Sequence, residues 1–217
     1  MKNLKKKFIK FIFKKKILIF GNFTLKSGIK SPYFFNISLF SKGKDLIKLG
    51  KFYAYFLIKN NKKFDLLFGI AYKGIPILIA TVIALKKYFN INVPYSFNRK
   101  EKKKYGEKGE IIGSKIQGNI VIIDDVLTAG TAIKNTIKII KKNKKTKISN
   151  ILVALNRQEF TKKNISIKQE IQNNYSCKIS SIININDIIK YLKKKNIMKK
   201  KLKILLKYKN KYNYKKN

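Results

Sequence analysis

Apolar residues recur along this chain with two different periods, and the alternation between them predicts its architecture. The opening "MKNLKKKFIKFIFKKKILIF" reads as an amphipathic helix with Leu4, Phe8, Phe11 and Ile12 turned inward. The stretch "FGNFTLKSGIKSPYFFNISLF" then reads as strands and turns, with breaks at Ser27-Gly28 and Ser31-Pro32. Helical spacing returns over residues 43–60. "FDLLFGIAYKGIPILIATVIALKKY" reads as a buried strand, a glycine-containing turn and a helix, and "VPYSFNRK" as another strand. The polar segment "EKKKYGEKGEIIGSKIQG" reads as a long mobile loop. After it come a strand in "NIVIIDD", a turn in "VLTAGTA", a helix in "IKNTIKIIKKN" and a strand in "ISNILVALNRQE". From about residue 186 the pattern is helical again and ends in a Lys-rich tail over 199–217. Strands that alternate with helices in this way predict one α/β domain over 1–217, with a mainly parallel sheet covered on both faces.

Charge changes this picture less than its size suggests. The 217 residues carry 52 basic and 10 acidic side chains, a formal charge of +42, which by itself would point to a polyanionic partner. The lysines, however, are spread through every predicted element, as compositional drift spreads them, whereas a nucleic-acid footprint gathers on one face. We therefore expect no specific nucleic-acid partner. No apolar stretch is long enough to span a bilayer, and Lys14, Lys15 and Lys16 interrupt the apolar start too early for a signal sequence, so no membrane partner is expected. With Cys177 as the single cysteine, disulfides and cysteine metal sites are excluded, and a cytoplasmic setting is expected.

The bias makes the exceptions informative. Arg99 and Arg157 are the two arginines among 52 basic residues, so they mark positions where a planar fork is wanted and a point charge will not serve. Asp124 and Asp125 stand together where an apolar strand ends. In a parallel sheet that is the edge at which ligands bind. Thr128, Ala129, Gly130 and Thr131 then lead into a helix whose first amide groups, with two hydroxyls and a close-approach glycine, suit a phosphate. Two carboxylates beside a phosphate need hydroxyls or a cation to face, and a 5-phosphorylated ribose with Mg²⁺ satisfies pair and turn together. No Gly-x-x-x-x-Gly-Lys-Ser/Thr run is present, which disfavours a P-loop ATPase.

"VIIDDVLTAGTA" resembles the ribose-phosphate signature of type I phosphoribosyltransferases. "FTLKSGIKSPYFFN", "FDLLFGIAYKGIP", "NRKEKKKYGEKG" and "LNRQE" narrow the similarity to the bacterial orotate phosphoribosyltransferases, over the chain up to about residue 195. The resemblance implies the type I fold, with a small hood built largely from the N-terminal segment. It also implies a homodimer with lids reaching into the neighbouring site, Mg²⁺ carried mainly by the substrate, and no metal-ligand set of the protein's own. It implies that phosphoribosyl pyrophosphate and orotate become orotidine 5′-phosphate and pyrophosphate. By this resemblance Asp124 and Asp125 hold the ribose hydroxyls, and the loop Val126, Leu127, Thr128, Ala129, Gly130, Thr131 and Ala132 cradles the 5-phosphate. Lys26, Tyr72 and Lys73 meet the pyrophosphate, and Arg99, Lys100 and Lys103 close over it. Phe34, Phe35, Thr128 and Arg157 take orotate. Lys103, Asp124, Asp125 and Arg99 form the catalytic set. The chain departs from many relatives at Tyr105, where they carry a histidine, and at Asn156, where they carry an aspartate. The same fold also hosts purine phosphoribosyltransferases and RNA-binding regulators, and the "NRKEKK" loop favours an enzyme.

Overall fold

The computed structural model describes residues 1–25, 28–60, 63–103, 109–160 and 165–212, without the side chains of 102 and 103. In chain order the elements are α1 (Lys2–Lys14), β1 (Leu18–Thr24), β2 (Lys30–Phe35), α2 (Gly43–Asn60), β3 (Leu66–Gly69), α3 (Gly74–Phe89), β4 (Tyr95–Lys103), β5 (Gly109–Gly113), β6 (Gly118–Leu127), α4 (Thr131–Lys141), β7 (Thr146–Asn156), α5 (Ile167–Tyr175), β8 (Lys178–Asn184), α6 (Ile185–Lys195) and α7 (Lys199–Tyr212). Six strands form the main sheet in the order β5-β4-β3-β6-β7-β8, and β1 and β2 form a separate two-stranded sheet. All neighbours in the main sheet run parallel except β4 and β5.

Period-two alternation along the central strands divides the core in two. On one face Val121 and Ile123 of β6, with Leu152 and Ala154 of β7, pack against α1, α2, α3 and α6. On the other, Ile120 and Ile122, with Ile151 and Val153, meet Ile133, Ile137 and Ile140 of α4 and Ile167 and Ile171 of α5. Because both faces are covered, these strands are apolar at consecutive positions through Ile120–Ile123 and Ile151–Leu155, and their one-residue alternation decides only which layer each side chain joins. On α1, Phe8, Phe11 and Ile12 are buried as the spacing predicts; Ile9 joins them, and Leu4 is half-buried against the same cluster. No helix among the described residues is long and apolar enough to cross a membrane.

Several boundaries differ from those the sequence predicts. Ser31-Pro32 is no break: both residues lie inside β2. Proline survives there because this sheet has only two strands and β1 shifts register between Phe20 and Phe23, opposite Pro32, where a missing N–H breaks no regular ladder. Within the loop expected over residues 101–118, residues 101–103 and 109–113 are strand: β4 runs on to Lys103 and β5 returns antiparallel with Phe97 opposite Ile112 and Lys103 opposite Gly109. Phe97, Ile111 and Ile112 anchor that pairing at its base, and the register shifts between Asn98 and Lys103. Strand β6 also continues past the aspartates to Leu127. The Lys-rich tail proves to be part of the fold: α7 buries Leu205 and Tyr208, and the Tyr208 ring packs edge-on against Tyr33 of β2, centroids 5.7 Å apart.

Candidate active site

Strands β3, β6 and β7 all deliver residues to one edge of the sheet. Asp124 and Asp125 lie near the carboxyl end of β6, with Asp124 opposite Val153 of β7. Asp124 is buried, and the Tyr53 hydroxyl from α2 donates a 2.8 Å hydrogen bond to its backbone carbonyl. Asp125 accepts from the Val126 backbone N–H at 2.8 Å, and the Lys73 ammonium stands 3.6 Å from its other oxygen. Burial holds the Asp124 carboxyl well above the usual carboxylate range, and the neighbouring Asp125 adds to the effect. Burial also raises Asp125, with Lys73 opposing. One half-exposed ammonium is thus set against a buried and a largely buried carboxylate. The pair favours protons, hydroxyls or a further cation.

Beyond Leu127 the chain turns into α4. Gly130, the residue before the helix, has φ +76°, a backbone conformation that strains any side chain, and a Cβ there would also push the Ile171 Cδ1 tip aside from 2.7 Å. No side chain caps α4 and its first turn holds no acid, which leaves the amide groups beside Thr128 and Ala129 open to an anion. Leu127 is buried in the core and Val126 packs partly against it, so neither aims its side chain at a ligand. Thr128 and Ala129 are half-buried; Thr131 and Ala132 are exposed.

The turn after β3 brings Tyr72 and Lys73 to the same edge. The Ala71–Tyr72 peptide is cis. Asn98 of β4 accepts from the Ala71 N–H at 3.0 Å and donates to the Arg99 carbonyl at 3.1 Å, tying this turn to the start of the basic hairpin. Lys100 lies over the exposed Tyr72 ring, 4.5 Å from its centroid, and Lys73 lies 5.4 Å from the centre of Phe34. Contacts thus join Lys73 to Phe34 and to the acid pair, and Lys100 to the neighbouring Tyr72. Arg99 is half-buried on β4. Lys26, Tyr105 and the Lys103 side chain lie outside the described residues. Phe35 is not at this site: alternation along β2 turns it into the core, 2% exposed, while Phe34 faces the opposite way.

Arg157 follows β7 directly, its N–H 3.5 Å from the Leu127 carbonyl, so it flanks the phosphate turn. Its environment differs from the open fork the sequence suggests. The guanidinium is buried and stacks on Tyr33, 4.0 Å from the ring centroid. Nε donates to Glu159 Oε1 at 2.6 Å, and Nη2 donates to Ser31 Oγ at 2.7 Å and to the Tyr208 hydroxyl at 3.2 Å. The edge formed by Nε and Nη2 is spent inside the protein, and a two-nitrogen grip on a ligand through it is ruled out. Asn156 plays no part in this orientation, since its side chain accepts from the Gln158 N–H at 2.8 Å. Sequence reasoning misses Glu159, Tyr208 and Asn98. Glu159 does carry a signal, as one of few acids in a basic chain and two residues from Arg157; Tyr208 carries none.

Comparison with known proteins agrees with this geometry. The phosphoribosyl transferase domain family matches residues 39–193. The chain is 54% identical to an orotate phosphoribosyltransferase of Buchnera aphidicola from Acyrthosiphon pisum, covering 96% of this chain and 98% of that one. It is 50% identical to the enzyme of the same name from Shigella flexneri, over 90% of this chain and 91% of the other. The crystal structure of orotate phosphoribosyltransferase from Francisella tularensis superposes with a TM-score of 0.82 at 37% identity, covering 96% of this chain and all of that one.

Proposed function

We propose how this chain, which belongs to the phosphoribosyltransferase family as an orotate phosphoribosyltransferase, carries its reaction. The substrates are phosphoribosyl pyrophosphate and orotate. The bond from the ribose C1 to the pyrophosphate oxygen breaks, a bond from C1 to a ring nitrogen of orotate forms as that nitrogen's proton passes to the pyrophosphate or to solvent, and the products are orotidine 5′-phosphate and pyrophosphate, a step of pyrimidine nucleotide synthesis. No covalent protein nucleophile is needed. The buried acid pair beside the uncapped start of α4 is the observation that carries the reading.

In this reading Asp124 and Asp125 accept hydrogen bonds from the ribose hydroxyls, and their charge offsets the positive charge that develops on the sugar. The residues from Thr128 to Thr131 hold the 5-phosphate with backbone N–H groups and hydroxyls. We assign Tyr72, Lys73, Lys100, Arg99, Lys26 and Lys103 to the departing pyrophosphate, where cations stabilise growing negative charge. Closure of the β4–β5 hairpin over that group excludes water that would otherwise hydrolyse the activated sugar. Phe34 flanks the base beside Lys73, and Arg157 addresses orotate through the nitrogen that its internal partners leave over.

Mg²⁺ fits this donor set. Two carboxylates that burial disfavours in their charged form welcome a divalent cation. No group of three or more acids, histidines or cysteines able to hold a metal exists among the described residues, so the substrate's oxygens would complete the coordination, with Asp124 or Asp125 as protein neighbours. When bound, the ion neutralises charge on the phosphates. We also assign the protein to the cytoplasm, on the strength of its single cysteine, and to a homodimer, as its resemblance to the bacterial orotate phosphoribosyltransferases implies; no nucleic acid or membrane enters this reading.

The decisive assay follows pyrophosphate release with phosphoribosyl pyrophosphate, Mg²⁺ and one base at a time. Release with orotate and not with adenine, guanine or hypoxanthine is expected. Release with a purine and not with orotate would overturn the assignment.

A further inference from the structure

Arg157 is held by residues from two distant parts of the chain and by a near neighbour. Ser31 lies 126 positions away on β2, Tyr208 lies 51 positions away on α7, and Glu159 is two residues on. Tyr208 closes the group into a ring: its hydroxyl accepts from Arg157 Nη2 at 3.2 Å and donates to Glu159 Oε1 at 2.6 Å, the same oxygen that Arg157 Nε meets. A hydroxyl has a single proton, so giving it to Glu159 leaves the oxygen free to accept from Nη2 and fixes the direction of every bond in the ring. Burial and Glu159 push the Tyr208 hydroxyl up to about 12, so it remains a donor throughout the physiological range. Among the described residues, both Nη2 hydrogens and the Nε hydrogen have acceptors, whereas Nη1 has none and is not among the buried polar atoms that lack a partner.

We propose that Tyr208, presented by the C-terminal helix, is a positioning residue for orotate binding that acts through Arg157, holding the guanidinium so that Nη1 alone is offered to the base. The inference rests on the reading of Arg157 as an orotate contact. Helix α7 is anchored well enough to present it. Leu205, about one turn before Tyr208, is fully buried in the core, and the Tyr212 ring lies 4.8 Å from that of Tyr208. The planar stack on Tyr33 fixes the tilt of the guanidinium, and the ring of hydrogen bonds fixes its rotation in that plane. Without the Tyr208 hydroxyl, Nη2 loses one of two acceptors and Glu159 Oε1 one of two donors, so the guanidinium is held less firmly against rotation. Glu159 also cancels the charge of Arg157, so the subsite selects orotate by a directed N–H group more than by net charge.

The experiment compares Tyr208→Phe, Arg157→Lys and the double variant by steady-state kinetics for orotate, by equilibrium binding of phosphoribosyl pyrophosphate with Mg²⁺, and by thermal melting. Tyr208→Phe is expected to raise KM for orotate about tenfold, the loss of one charge-assisted hydrogen bond, and to leave phosphoribosyl pyrophosphate binding unchanged. The double variant is expected to be no worse than Arg157→Lys, because Tyr208 acts only through the arginine. A folded Tyr208→Phe protein with KM for orotate within about twofold of the parent, or with both substrates weakened alike, overturns the proposal. If Arg157→Lys itself leaves KM for orotate unchanged, the role given to Arg157 fails and the proposal falls with it. A shift with Arg157→Lys alone sinks only the part given to Tyr208. Should Tyr208→Phe not fold, Glu159→Gln opens the same ring from its other side and decides by the same criterion.

Discussion

Asp125 sits under opposing influences: burial disfavours its charge, and Lys73 at 3.6 Å favours it. Burial wins, so the folded state binds a proton there more tightly than the unfolded chain does. The contribution to stability is therefore full below the ordinary carboxylate range and is lost as pH rises through the raised value. Above that raised value the charge on Asp125 is a cost borne by the empty enzyme. Asp125→Asn is expected to melt higher than the parent at pH 8 by roughly 2–4 °C, the shift that about 1 kcal/mol gives in a chain of this length, with the gain narrowing towards pH 5. The same variant is expected to lose about 10²-fold in turnover, since an amide cannot offset the developing cation. Melting curves across pH, with kinetics on the same preparation, check both; a folded variant of unchanged turnover would remove Asp125 from the mechanism. The acid pair is legible in sequence because strand, carboxylates and phosphate turn are contiguous. The Arg157 ring is not, because Ser31 and Tyr208 reach it only through the tertiary fold.

Elements are legible where one periodicity runs unbroken. α2, α3 and β7 follow from their own spacing, whereas α5 and β8 do not: α5 has only nine residues, and "KISSIIN" puts two serines in the middle of a strand. Lysines and glycines hide β5, since its pairing with β4 depends on apolar residues at only a few positions. Close packing of α2 on α3 is hidden too, because it turns on an absent side chain. A Cβ at Gly50 would fall inside contact distance of the Ala80 backbone carbonyl, and backbone cannot yield as a side-chain tip does. Gly43, at the start of the same helix, has no atom within 4 Å of the corresponding position. Gly50→Ala is expected to destabilise the protein by about 1–3 kcal/mol or more, through a forced separation of the helices. Gly43→Ala is expected to be neutral or to stabilise by up to about 1 kcal/mol. Denaturant midpoints at constant slope measure both. Equal effects at the two sites would show that α2 and α3 part easily, and the placement of Tyr53 against Asp124 would then lose its rigid support.

Across the whole molecule, charge is the property that the fold uses least. Ten acids stand against 52 bases, and most of the acids already have particular partners. Lys5 pairs with Asp187 at 2.8 Å, Lys15 with Asp45 at 2.7 Å and Lys134 with Glu170 at 2.8 Å, while Glu159 serves Arg157 and the aspartate pair serves the site. A net charge of +42 is left over, and folding draws those positive groups closer together than the open chain holds them. Raising sodium chloride from about 0.01 to about 1 M shortens the screening length from about 30 Å to about 3 Å, which relieves that repulsion while leaving buried contacts nearly untouched. The melting temperature is therefore expected to climb steadily with chloride, most steeply below about 0.15 M, where the screening length is still changing fast. The proposed homodimer would bring two such charges together, so sedimentation should show association tightening over the same range. A melting temperature that stays flat would mean that the lysines lie far enough apart to be screened already. One that falls with salt would mean that the few ion pairs, Lys15–Asp45 above all with its buried carboxylate, outweigh the repulsion of the remaining surface.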